Sequence, residues 1–247
     1  MMFKDLLLSR SGTPAELRKH MEDVHIPMGL SIPAVAREMQ RYTLNHVEGS
    51  PVAIAIHPPI DRLSTIVEHV CGGWEGLTRL GQDPDFQEKL LPDEQYMSTH
   101  LMDGQAEFVA IDEEQPIFTS GDVGTLRVFD LLRRSASVSR EQFLRQLEAE
   151  GAWAKTDDRY RAAVGQRVHS IVGEGTASYG EAAEPFDAVV ETWPADLHRL
   201  EDLVDELRSR RSAYCDPAGS FTVVTEERWF YGEVGPFGPR AESAGRS

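Results

Sequence analysis

Histidine, tyrosine and carboxylate side chains are the groups of this chain that can move a proton near neutral pH, and general acid–base chemistry needs them within reach of one substrate. His25 is the foremost. It stands near the end of an apolar-striped run from Thr13 to Met28, in which Leu17, Met21 and Val24 recur at i, i+4 and i+7, as one face of a helix does. Thr13 has the residue type of an N-cap, with Pro14 at the first helical position and Glu16 three residues on. Pro27 disfavours helical geometry at Ile26, so the spacing predicts a helix that stops at His25, where the partial negative charge of a helix C-terminus favours the imidazolium. Tyr42, His46 and His69 are the other proton-moving candidates. Tyr42 and His46 share one strand face about 13 Å apart, so only neighbouring strands can bring them to one substrate. Glu68 is read as orienting a histidine or binding substrate, with Asn45, Trp74 and Phe108 as substrate-binding candidates. For each of these residues the alternative is structural: a hydrogen-bonded histidine, an edge carboxylate, or an aromatic ring filling core.

These side chains sit on recognisable elements. Phe3 to Ser9 reads as a strand, Ile32 to Met39 as a short helix started by Pro33, and Arg41 to Glu48 and Arg62 to Val70 as strands alternating with period two. Trp74 to Leu80 and Asp85 to Leu91 read as a helix broken at Gly81 and Pro84, and Ala106 to Asp112 as a fourth strand. The order then recurs. Ser139 to Phe143 echoes Thr13 to Leu17, Glu191 corresponds to Glu68, and Asp216 to Glu227 echoes Asp103 to Glu114.

A strand, a helix, His25-Ile26-Pro27 and then Arg41 to Val47 together resemble the EthD family, a branch of the dimeric α+β-barrel (ferredoxin-like) superfamily. The resemblance implies an α+β fold of two ferredoxin-like (βαββαβ) repeats packing into a pseudo-dimeric α+β barrel. The expected division is repeat 1 over 1–115, a linker over 116–124, repeat 2 over 125–232 and a flexible tail over 233–247. It also implies small-molecule catabolism by His, Tyr and carboxylate groups in an apolar pocket, without a cofactor.

Composition narrows the partners. The chain has 247 residues, 40% of them apolar, and a net charge of −16, which repels both a phosphate backbone and an anionic membrane surface. The expected partner is a small hydrophobic substrate, not nucleic acid or membrane, and a homodimer through exposed helices stays open. The start of the chain lacks a signal-peptide pattern, and Cys71 and Cys215 form no paired motif, so a reducing, cytoplasmic setting is expected. Asp23, His25, His46 and His69 could in principle cluster, but no metal-ligand spacing is present among them. Haem on His198 rests on one helical histidine, and there is no nucleotide loop.

Three functions fit: a cofactor-free lyase, cyclase or dehydratase acting on a hydrophobic carbonyl or polyketide-like intermediate; a cofactor-free monooxygenase; or a non-catalytic small-molecule-binding accessory protein. Aligning the repeats puts Gly151 opposite His25. Chemistry is therefore expected in the N-terminal repeat alone, with Trp153 plugging the second pocket and Gly151→Ala doing little.

Overall fold

The computed structural model describes residues 3–47, 54–120, 123–173 and 186–231, with the side chains of 229–231 left aside. The tail expected over 233–247 thus lies outside the described residues. Strand β1 (Phe3–Arg10) feeds helix α1 (Pro14–His20), which a π-helical turn over Met21–His25 joins to α2 (Ile26–Leu30). Helix α3 (Pro33–Glu38) leads into β2 (Met39–Val47), and β3 (Leu63–Cys71) follows. Next come α4 (Trp74–Gly81), a second π-helical turn over Phe86–Leu90, α5 (Leu91–His100) and the long β4 (Glu107–Thr119), which continues through residues expected as linker. The remainder is β5 (Leu126–Leu132), α6 (Arg140–Thr156), α7 (Asp158–Ala163), β6 (Val164–Val172), β7 (Ala188–Pro194), α8 (Leu197–Glu201), α9 (Val204–Arg211) and β8 (Phe221–Tyr231).

The expected pattern of two ferredoxin-like (βαββαβ) repeats packing into a pseudo-dimeric barrel is corrected by the strand pairing. The strands form one closed barrel in the order β1-β3-β2-β8-β5-β7-β6-β4. The reason lies in strand length. β4 has 13 residues against the eight of β1, and its backbone groups beyond Ile111 must find partners elsewhere. They find β6, with Ile111 opposite Val172 and Thr119 opposite Gln166. Two compact units result, and neither is a contiguous stretch of chain: of the described residues, the first holds 3–46, 61–110 and 227–231, the second 47, 54–60, 111–120, 123–173 and 186–226. In the first unit β3 lies between β1 and β2, all antiparallel, with Leu6 and Thr43 both opposite Glu68. In the second, β5 pairs with β7 and β8, and β6 with β7 and β4.

The helix carrying His25 departs from its sequence reading in three ways. Thr13 makes no side-chain cap, and its own N–H donates to Ser11 Oγ at 2.9 Å; Ser139, by contrast, forms a full capping box with Gln142. The helix does not stop at His25. A proline inside a helix lacks an N–H and crowds the carbonyl four residues back, and here the strain is taken up by the π turn, in which the Ile26 N–H bonds to the carbonyl of Met21, five residues back. The wider turn also rotates the apolar stripe. Leu17, Met21 and Ile26 face the core, His25 goes in with them at 8% exposure, and Val24 is left 38% exposed.

That core joins the helices to one sheet face through Tyr42, Leu44 and Val67. The second unit has its own cores, around Phe143, Leu147 and Val190 and around Tyr160, Val164 and Leu203. Its helix–sheet layer also buries a charged network in which Glu150 meets Arg167, Arg211 and Tyr214. Burial raises the Glu150 carboxyl, but the two guanidiniums outweigh it and hold the group well below the carboxylate range.

Gly151, expected to be permissive, is tightly enclosed: an added Cβ would lie 3.1 Å from His169 Cε1 and 3.2 Å from Ile117 Cδ1. An alanine gains about 1 kcal/mol of helix propensity, set against that crowding. A larger residue has no such offset, so Gly151→Leu is expected to cost about 1–3 kcal/mol by overpacking. Urea denaturation measures it, and an unchanged midpoint would show that α6 yields freely at this position.

Candidate active site

Period-two alternation sorts the sheet side chains of the first unit onto two faces. On the face that packs against the helices, Asp5, His69 and Tyr42 stand directly opposite one another on β1, β3 and β2. His69 Nδ1 lies 2.9 Å from Asp5 Oδ1, and the rings of His69 and Tyr42 have centroids 5.1 Å apart. Burial would lower the imidazole of His69, but the adjacent Asp5 carboxylate outweighs it and raises the value above the ordinary one. For Tyr42, burial and then the charges of Glu94 and Asp5 push the phenol far upward. The phenol stays protonated and serves only as a neutral hydroxyl.

Helix α5 supplies what the sequence reading missed. Asp93 receives His25 Nδ1 at 2.8 Å on one carboxylate oxygen and His20 Nε2 at 2.8 Å on the other. The hydrogen bond from His25 is the main cause that keeps the Asp93 carboxyl low, against partial burial. With Asp93 holding Nδ1, His25 Nε2 carries no partner among the described residues. The neighbouring Glu94 is pushed up by burial, opposed by the pull of His25 and His69. The Glu94 charge adds to the upward push on both Tyr42 and His69. A signal for these two acids was present in the chain: Pro92 follows the π turn ending at Leu90 as Pro27 follows the one ending at His25.

The other candidates are placed elsewhere. His46 shares the Tyr42 face but pairs its Nε2 with Glu22 at 2.8 Å, and burial lowers its imidazole. Glu68 points to the opposite face, where it is buried between Lys4 Nζ at 3.2 Å and Arg41 Nη2 at 2.6 Å. Asn45 is also on that side, donating to the carbonyl of Ile66 at 3.0 Å. Trp74 and Phe108 gather around Phe3, with ring centroids at 4.9 and 6.4 Å. Trp153 packs on Tyr160 under the Arg210 guanidinium.

No group of three or more His, Cys, Asp or Glu among the described residues is arranged to hold a metal ion. Asp23, from the weighed cluster, pairs with Lys19. The side chain of His198 is 98% exposed on the five-residue α8, so nothing encloses a haem there. No helix among the described residues is long and apolar enough to cross a membrane.

Residues 10–113 match the EthD domain model, a span that holds every member of the His25 cluster except Asp5. No curated protein matches the chain. Among solved structures, a candidate monooxygenase from Fusobacterium nucleatum subsp. nucleatum superposes with a TM-score of 0.58 at 6% identity, over 97% of this chain and 96% of its own. An anthrone oxidase-like protein gives 0.54 at 13% identity over 92% and 93%. A chlorite dismutase from Candidatus Nitrospira defluvii gives 0.51 at 8% over 91% and 90%. At these identities the likeness is one of fold.

Two outcomes follow from the electrostatics. Glu68→Ala removes the carboxylate from between two buried cations and is expected to cost about 3–5 kcal/mol; a urea midpoint unchanged from wild type would show the triad to be dispensable. The raised value of His69 means that its pair with Asp5 stabilises fully below the unfolded imidazole value and that this contribution is lost as pH rises through the folded value. Asp5→Asn should therefore lower the His69 titration midpoint in proton NMR and flatten stability across that window. An unmoved midpoint would refute Asp5 as the cause.

Proposed function

We propose, from the membership of residues 10–113 in the EthD family, that the cluster around His25 is the acid–base site of a small-molecule enzyme acting on a hydrophobic carbonyl compound. The single observation that carries the reading is the Asp93 carboxylate bridging His25 and His20. A carboxylate at Nδ1 fixes the tautomer that offers the Nε2 lone pair as a base, and it stabilises the imidazolium once the proton has been taken. His25 then removes a proton from carbon next to the carbonyl. Tyr42, kept neutral, and the His69 imidazole held up by Asp5 supply donors of the kind that stabilise the enolate oxygen. Return of that proton to a β-hydroxyl releases water, and attack of the enolate on a second carbonyl closes a ring. These are the dehydratase and cyclase outcomes.

A second reading, supported by the fold likeness to an anthrone oxidase-like protein, ends the same first step differently. The carbanion left by His25 reacts with dioxygen, and the carbon becomes a carbonyl as one oxygen atom leaves in water. Anthrone in an oxygen electrode distinguishes the two: oxygen uptake with anthraquinone formation supports the monooxygenase, and turnover of a β-hydroxy carbonyl compound under argon supports the dehydratase. In either case His25→Ala should lower kcat/KM by about 10²–10⁴-fold, the span for losing a general base, with the fold intact by circular dichroism. Asp93→Asn should lower it with a shifted pH profile. Full turnover by His25→Ala would overturn the assignment.

A further inference from the structure

Two carboxyl groups stand side by side at the start of α5, and their surroundings push them in opposite directions. Asp93 is held low by the hydrogen bonds from His25 and His20, whereas Glu94 is raised by burial. Glu94 stands four residues after Leu90 and three before Met97, and both of these are buried in the core cluster that contains Tyr42. Residues at that spacing share one side of a helix, so Glu94 occupies the place in the inward side of α5 where an apolar residue would complete a stripe. Its side chain is half-buried, and it makes no hydrogen bond or ion pair among the described residues. The layer it faces carries Asp5 from β1, Tyr42 from β2, His69 from β3, and His20 and His25 from the first helix and its π turn. Its charge acts on Tyr42, His69 and His25, while His46 on the same sheet face is already paired with Glu22.

A carboxylate without a partner in an apolar layer costs free energy, and the group lowers that cost by keeping its proton. Neighbouring titratable groups whose environments drive them apart divide the work of base and acid between them. Here Asp93 is the ionised partner of His25, and Glu94 is the acid beside it. Neither the Glu94 oxygens nor His25 Nε2 are among the sealed, unpartnered polar atoms of the described residues, so both groups keep access to a substrate. Elimination of a β-hydroxyl needs two proton transfers at two different atoms. A single imidazole has to leave the α-carbon and turn to the hydroxyl between them, whereas a second acid acts while the imidazolium is still in place.

Resting on the acid–base reading of His25, we infer that Glu94 is a second catalytic residue of the same site, the general acid that protonates the departing β-hydroxyl of the substrate. His25 takes the α-proton and leaves an enolate. As the enolate collapses, its electron pair forms the carbon–carbon double bond, the carbonyl re-forms, the C–O bond breaks, and the Glu94 proton leaves with the oxygen as water. One proton then passes through solvent from the His25 imidazolium to the Glu94 carboxylate, which restores both groups. The test uses the full chain in deuterium oxide with the aldol adduct of acetone and benzaldehyde, a hydrophobic β-hydroxy ketone. Proton NMR follows deuterium entering the carbon between carbonyl and hydroxyl, and absorbance follows benzylideneacetone. Wild type should catalyse both. Glu94→Gln should lower the kcat of elimination by about 10²–10⁴-fold, the span for losing a general acid, while deuterium incorporation persists; His25→Ala should lose both. Glu94→Leu, which completes the apolar stripe, should lose elimination with an unchanged or raised melting temperature. Elimination unchanged in Glu94→Gln, incorporation lost along with elimination in Glu94→Gln, or a lowered melting temperature in both Glu94 variants would overturn the role of Glu94 and leave His25 standing. Undiminished incorporation in His25→Ala, or neither reaction in wild type, would overturn the His25 reading and this inference with it.

Discussion

Two prolines that cannot sit in an ordinary α-helix set the geometry of the candidate active site. Pro27 and Pro92 each follow a π-helical turn by two residues, and in each turn the closing N–H reaches five residues back, from Ile26 to Met21 and from Leu91 to Phe86. A π turn inserts an extra residue into the helical count and so changes which side chain faces inward. In the first helix it buries His25 in place of Val24. In the second it is followed at once by Asp93 and Glu94, the first-turn acids of α5. The hydrogen bond between His25 and Asp93 thus joins two helices whose phases were both set by the same steric rule.

Burying so many charges is tolerable because the sheet separates them by face. Asp5 and His69 neutralise each other on the helix side of the first unit, while Lys4, Arg41 and Glu68 do so on the opposite side. One-residue slippage of β3 would carry Glu68 into the apolar helix layer and His69 into the cationic side. Register and polar pairing therefore enforce each other. The second unit uses the same alternation: Glu191 meets Arg127 on one face, and Asp130 meets Arg211 on the other. The two helix–sheet layers nevertheless differ in kind. In the first, His25 Nε2 has no partner among the described residues. In the second, the corresponding stretch of helix presents Glu150, engaged by two arginines and a tyrosine, an arrangement that locks packing.

How much of this the sequence disclosed depended on how local each cause was. Period-two alternation marked β2 and β3, and a short apolar run marked β1, to within about two residues of their ends, and Pro33 marked the start of α3. His25, Tyr42 and His69 stood out by residue type, and they do share the helix–sheet layer. Asp93 and Glu94 did not stand out, because α5 has no apolar stripe to announce which of its faces turns inward. Glu68 looked like a partner for the histidines because it adjoins His69, yet adjacency along a strand puts two side chains on opposite faces. The strand pairing that closes the barrel was the least legible feature, since the barrel was expected through the family resemblance alone. It depends on pairs such as Leu126 with Glu226 and Ile111 with Val172, separated by distances along the chain that no local pattern encodes.

The stretch between β2 and β3 shows why reading the chain as two consecutive repeats misassigns its parts. Ile54 and Ile56 belong by sequence to the first half, but they pack with Val128, Tyr160 and Val224 in a core of the second unit. Apolar side chains in a connection cannot stay in water without cost, and the hydrophobic effect has no regard for sequence order. Once the two isoleucines are drawn in, His57 follows as a rigid neighbour, its main chain bound to Thr222 of β8. A loop of one half thereby becomes a wall of the other.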